Sequence, residues 1–178
     1  MNAVQLIVAA LGLLHPEVER NHRVLYANII AKEAQRSHRT SLELVALFEH
    51  ESRFRSTVIG GTDNQCVGWG QVCLHHFVAC KEGFETPECD AKRKQLQNPA
   101  ENARIAVDEL EEWRTLCKQR TGRADFVALL NGYGGFDSPS KGIVCGQKKT
   151  SRRGWKLSPV PKAVQEILKI HRDLRRAR

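Results

Sequence analysis

Apolar residues recur along most of this chain at the three-and-four spacing of helices that bury one face. Residues 4–14, VQLIVAALGLL, form an uncharged apolar run, and residues 23–37 place Val24, Ile29 and Ala31 among charged neighbours. Thr40-Ser41-Leu42-Glu43 has the spacing in which a hydroxyl and a carboxylate cap a helix start reciprocally, predicting a helix through Glu51. Its Leu44, Val45, Leu47 and Phe48 put that helix at the centre of the fold. Residues 56–71 change character, with four glycines beside Asp63 and Asn64, and predict a Gly-rich loop or a short strand pair.

Helical pattern resumes over Val72–Cys80, gives way to a turn-rich stretch from Glu82 to Gln97, and restarts at Asn98-Pro99, a cap followed by proline at the first helical position. Ala103, Ala106, Val107, Leu110, Trp113 and Cys117 then mark one long amphipathic helix. A shorter helix over Ala124–Leu130 is expected to stop at Asn131-Gly132-Tyr133-Gly134-Gly135. After a loop through Pro139 and Gly154, Ser158-Pro159 open a last helix with Val160, Val164, Ile167, Leu168, His171 and Leu174 on one face and cations on the other. The class is mainly α.

With 178 residues, 41% of them hydrophobic, one domain with short extensions is the expectation. The formal charge of +8 is concentrated: residues 147–178 hold 11 Lys and Arg against 2 acids, which leaves the first 146 residues at −1. Such a basic segment on a near-neutral body suits a polyanionic partner, whether nucleic acid, acidic wall polymer or membrane surface. Trp155 is the only aromatic ring of the segment able to stack on bases, which counts against nucleic acid. Six cysteines, four of them between residues 66 and 89, favour an oxidising, periplasmic or extracellular compartment with up to three disulfides. Buried thiols and a zinc site are the alternatives, the second weakened by the absence of CxxC or HxxxH spacing, so no metal or cofactor is expected. The 11-residue apolar run is too short to span a bilayer and lacks the preceding cations of a secretion signal, which favours a buried first helix.

Four short motifs stand in order: Glu51-Ser52-Arg53-Phe54, Gly68-Trp69-Gly70-Gln71, Asn98-Pro99 with Asn102, and Ala128-Leu129-Leu130-Asn131-Gly132. Together they resemble the soluble lytic transglycosylases and, more distantly, the goose-type lysozymes, over about residues 23–137. The resemblance implies a lysozyme-like helical domain over 23–146 with the Gly-rich loop beside an active-site cleft, a helical extension at 1–22, and a basic C-terminal helix within 147–178 packed on the same domain. It also implies that Glu51 is the catalytic acid. A carboxyl at the end of an apolar helix suits that role, because desolvation favours the protonated form. Glu49 lies about 200° away around the helix, so only one of the two can face a given cleft. Ser52 and Gln71 correspond to residues that position the acid and the sugar, with Gly68 and Gly70 allowing close approach of the backbone, while Asn98 and Asn102 correspond to a supporting helix start. The fourth motif departs from the family pattern, which has tyrosine where this chain has Leu130. Tyr133 is the nearby substitute and Asn131 a candidate cleft residue.

The implied reaction is cleavage of the β-1,4 bond between N-acetylmuramic acid and N-acetylglucosamine in peptidoglycan, with closure of a 1,6-anhydro ring by a single carboxylate. The closest alternative is hydrolysis, in which a second carboxylate activates water. Asp63, 12 residues after Glu51, is the candidate. A noncatalytic basic module binding cell wall or nucleic acid would account for the C-terminal charge but leave the order of the four motifs as coincidence.

Overall fold

The computed structural model describes residues 2–61, 65–81, 83–137, 142–150 and 154–177. The chain forms two compact units, 1–107 and 108–178, joined covalently within one long helix.

In the first unit, α1 (Ala3–Leu14), α2 (Arg20–Arg36) and α3 (Ser41–Ser52) pack on one another. The apolar run is α1, with Ile7, Ala10 and Leu11 buried, as the buried-helix reading expects. α3 starts at the Thr40–Glu43 capping box: Thr40 Oγ1 accepts from the Glu43 amide at 3.3 Å, and Glu43 Oε2 accepts from the Thr40 amide at 2.8 Å. Leu42 and every residue from Leu44 to Phe48 are buried, so α3 is the central helix of this unit. Beyond it, β1 (Ile59–Gly60), β2 (Cys66–Val67) and β3 (Val72–Cys73) make a small antiparallel sheet in that order, with Cys66 opposite Cys73 and joined to it by a disulfide.

Two expectations need correction here. Residues 72–80 are not a regular helix but β3 followed by two short 3-10 turns, Leu74–His76 and Val78–Cys80. The stretch from Glu82 to Gln97 contains α4 (Pro87–Leu96), capped by Thr86 and carrying proline in its first turn. Only Cys89 and Leu96 of α4 are buried, so apolar periodicity cannot reveal it. A Cys80–Cys89 disulfide holds it to the preceding turn. α5 (Pro99–Thr121) then opens with Asn98 Oδ1 accepting from the Ala100 and Glu101 amides at 3.0 and 3.1 Å.

In the second unit, α5 continues into α6 (Phe126–Tyr133), a second antiparallel sheet of β4 (Ile143–Val144), β5 (Gln147–Thr150) and β6 (Gly154–Leu157), and α7 (Lys162–Arg176). The sheet falls where the sequence reading places a loop, because its strands are too short, two to four residues each, to show an apolar alternation. Cys145 (φ 53°) and Gly146 (φ 67°) make the tight β4–β5 turn, and the Asp137 carboxylate accepts both their amides at 2.6 and 3.2 Å. The Cys117–Cys145 disulfide ties α5 to that turn, within a small core that includes Ala128, Val144 and the flanking Trp113. α7 buries Val164, Ile167 and Leu174 and leaves Lys162, Lys169, Arg172, Arg175 and Arg176 exposed. The mainly α class expected from the sequence is the class observed. No helix among the described residues is long and apolar enough to cross a membrane.

Candidate active site

Glu51 occupies the last turn of α3 and is half-buried. The helix ends in an unusual way. Arg53 (φ 53°) and Phe54 (φ 57°) both adopt left-handed backbone, a conformation that costs an L-residue roughly 1–2 kcal/mol. Burial of the Phe54 ring offsets that cost. It packs edge-on against Trp69 at 5.3 Å and against Phe48 at 6.3 Å, and stacks on Tyr26 at 6.3 Å. Trp69 is itself fully buried. The contact between Phe54 and Trp69 therefore joins the first motif to the second, and a pairing that is 15 residues apart in sequence becomes one aromatic cluster.

The Gly-rich segment is shaped from below by Asn102. This side chain is fully buried on α5; its Oδ1 accepts from the Gly70 amide at 2.8 Å, and its Nδ2 donates to the carbonyls of Val67 and Leu96 at 2.7 and 2.9 Å. Gly68 (φ 75°) sits so close that an added Cβ would come within 2.7 Å of the Leu96 carbonyl oxygen, so no other residue fits. Gln71 (φ 51°) folds back over the loop and donates from Nε2 to the carbonyls of Gly68 and Val58 at 3.0 and 3.3 Å. Ser52 is buried, and its hydroxyl donates to the Phe48 carbonyl at 3.3 Å, within its own helix. Glu49, on the other face of α3, takes a different partner: its Oε2 lies 2.5 Å from His15 Nε2.

In the first unit the Phe54–Trp69 contact joins the segment that carries Glu51 and Ser52 to the one that carries Gly68, Gly70 and Gln71, and Asn102 of α5 bonds the latter. Asn131 and Tyr133 belong to the second unit. Asn131 is buried and donates from Nδ2 to the Val127 carbonyl at 2.8 Å, while Tyr133 ends α6 half-buried, so the helix runs through the asparagine before stopping at Gly134. Asp63 lies outside the described residues. No cluster of His, Cys, Asp and Glu able to hold a metal occurs among the described residues. The sequence reading missed the clamp made by Asn102 and the left-handed pair at 53–54. The conjunction of Phe54 and Trp69 in the two motifs is the signal that could have found their contact.

Comparison with protein families matches residues 28–133, more than half of the chain, to the Transglycosylase SLT domain. This chain belongs to that family. The match begins within α2 and ends with Tyr133, and so includes all four motifs. No curated protein and no solved structure matches the chain. At the level of the family, the SLT domain is a lytic transglycosylase-type enzyme that cleaves peptidoglycan, a cell-wall substrate.

Proposed function

We propose that this SLT-family enzyme cuts the β-1,4 bond between N-acetylmuramic acid and N-acetylglucosamine, with Glu51 as its single acid and base. The observation that carries the reading is the setting of Glu51: half-buried in the last turn of a helix that buries Leu44 to Phe48, whose terminus is joined to the glycine loop by the contact of Phe54 with Trp69.

Glu51 gives that proton to the bridging oxygen as the bond to the muramyl anomeric carbon breaks, and the departing N-acetylglucosamine leaves with its hydroxyl restored. The substrate's N-acetyl carbonyl stabilises the cationic carbon. Glu51, now a carboxylate, removes the proton of the muramyl 6-hydroxyl, whose oxygen closes on the same carbon to give a 1,6-anhydro ring. The carboxyl ends protonated as it began, and no water is consumed. Ser52 and Gln71 act as positioning residues, the first through the end of α3 and the second through the loop it braces. The exposed cations of α7 hold the enzyme on an anionic wall surface.

Mass spectrometry of digested peptidoglycan tests the bond and the product together. Fragments that end in anhydromuramic acid are expected; fragments with reducing ends alone would replace this scheme with hydrolysis.

A further inference from the structure

Behind α3, on the side of Glu49, the first unit holds a cavity of about 720 Å³. It is bounded by the end of α1, the turn after it, the start of α2 and the turn at 53–57. Its volume lies in the range of pockets that take small ligands. Leu11, Leu14, Val18, Tyr26 and Phe54 give it apolar sides.

Three arginines face it: Arg23, Arg53 and Arg55. Arg23 is the informative one. Its Nε is buried and has no hydrogen-bond acceptor among the described residues, so packing rather than a bond at Nε holds the guanidinium at the lining. Its guanidinium lies against α1 at Gly12, where an added Cβ would run into it, so glycine at that position makes the room. The left-handed pair at 53–54 turns the chain so that Phe54 is buried while Arg53 and Arg55 stay exposed on the same lining. Strained backbone of this kind is concentrated at sites that hold ligands. The two acids of the lining, Glu17 and Glu49, both engage His15, at 3.1 and 2.5 Å, and of the arginines Arg55 donates from Nε to the Ser52 carbonyl at 3.0 Å. The presence of the two acids disfavours a dianion.

We propose that this cavity receives the free C-terminal carboxylate of a short peptide with small apolar side chains. The planar guanidinium fork matches a carboxylate, and the apolar walls match the side chains behind it. The site is separate from Glu51 and goes beyond the cleavage proposed for it.

The test is an NMR titration of the full, disulfide-bonded chain with N-acetyl-alanyl-alanine, its C-terminal amide and inorganic phosphate. The acid is expected to shift resonances around the cavity saturably. Binding should weaken about tenfold or more for the amide, for Arg23→Gln and for Gly12→Ala, the loss of one charge-assisted hydrogen bond. Gly12→Ala keeps every charge and displaces only the guanidinium, and the amide needs no variant at all, so the proposal stays decidable if Arg23→Gln does not fold. Equal binding of acid and amide, tighter binding of phosphate, or no saturable binding would each overturn it. Glu51→Gln should bind the peptide like the parent protein while losing action on peptidoglycan, so failure at this cavity and failure of the proposed reaction are read separately.

Discussion

Two carboxylates two positions apart on α3 have different surroundings. Glu49 is only 14% exposed and is held by His15, whereas Glu51 is half-buried at the turn where the helix gives way to the left-handed pair. The α-helical rotation between them is what separates a carboxylate committed to an internal bond from one proposed for chemistry. A third acid, Glu109 on α5, carries a testable burden of its own. Burial, with a smaller contribution from the charge of Glu112, pushes its pKa up to about 7 from an ordinary value of 4.5. Below pH 4.5 both folded and unfolded chains hold this proton, and Glu109 contributes nothing to stability. Between 4.5 and about 7 the unfolded chain releases it first, so stability falls as pH rises; above 7 the penalty is constant. Glu109→Gln should therefore unfold in urea like the parent protein at pH 4, and be more stable by about 2 kcal/mol at pH 8. Equal stability at pH 8 would contradict the assigned burial.

At the scale of elements, the loop after α3 depends on one side chain from α5. Asn102→Ala leaves the Gly70 amide and the Val67 and Leu96 carbonyls without their partner. The expected cost is about 3 kcal/mol, read as a fall in melting temperature of roughly 10 °C. Asn102→Asp keeps the acceptor for Gly70 and loses both donors, so it should fall between the two. Indistinguishable melting of Asn102→Ala and the parent would show that the loop is held elsewhere. The helices that bury a continuous face were readable in the sequence: α1, α3 and the run of α5 from Ala103 to Cys117 follow the apolar spacing, and the caps at Thr40 and Asn98 are where their chemistry predicts. α4 and the sheet of β4–β6 were not, because a disulfide holds α4 and another anchors the turn between β4 and β5, in place of an apolar face. The glycine loop was legible as a turn region, but its three strands depend on pairing partners that no local pattern names. Glu51, Gly68 and Gln71 could be picked out in sequence as candidates; the aromatic contact that joins their motifs is made by tertiary packing, and only the presence of Phe54 and Trp69 in the two motifs hints at it.

Over the whole molecule, charge is divided unevenly: residues 147–178, with 11 Lys and Arg against 2 acids, carry all of the net positive charge. If α7 anchors the enzyme to an anionic wall, then replacing Lys169, Arg172, Arg175 and Arg176 with Gln should release it from isolated cell walls at low salt. The buried face formed by Val164, Ile167 and Leu174 is untouched by these changes, so the helix should persist. High salt should release the parent protein in the same way, because exposed charges are screened. Retention that ignores both the substitutions and the salt would assign anchoring to another surface. The proposed reaction rests on a single proton donor. The most direct measurement compares the parent protein with Glu51→Gln in clearing a peptidoglycan suspension, with circular dichroism to establish that both are folded. Gln keeps the shape of the side chain and lacks the proton, and general acid–base catalysis alone is worth about two to four orders of magnitude. A folded Glu51→Gln protein that clears the suspension at least a hundredfold more slowly, on the order of the low end of that range, is the predicted result; one that clears it at the parent rate would contradict the account.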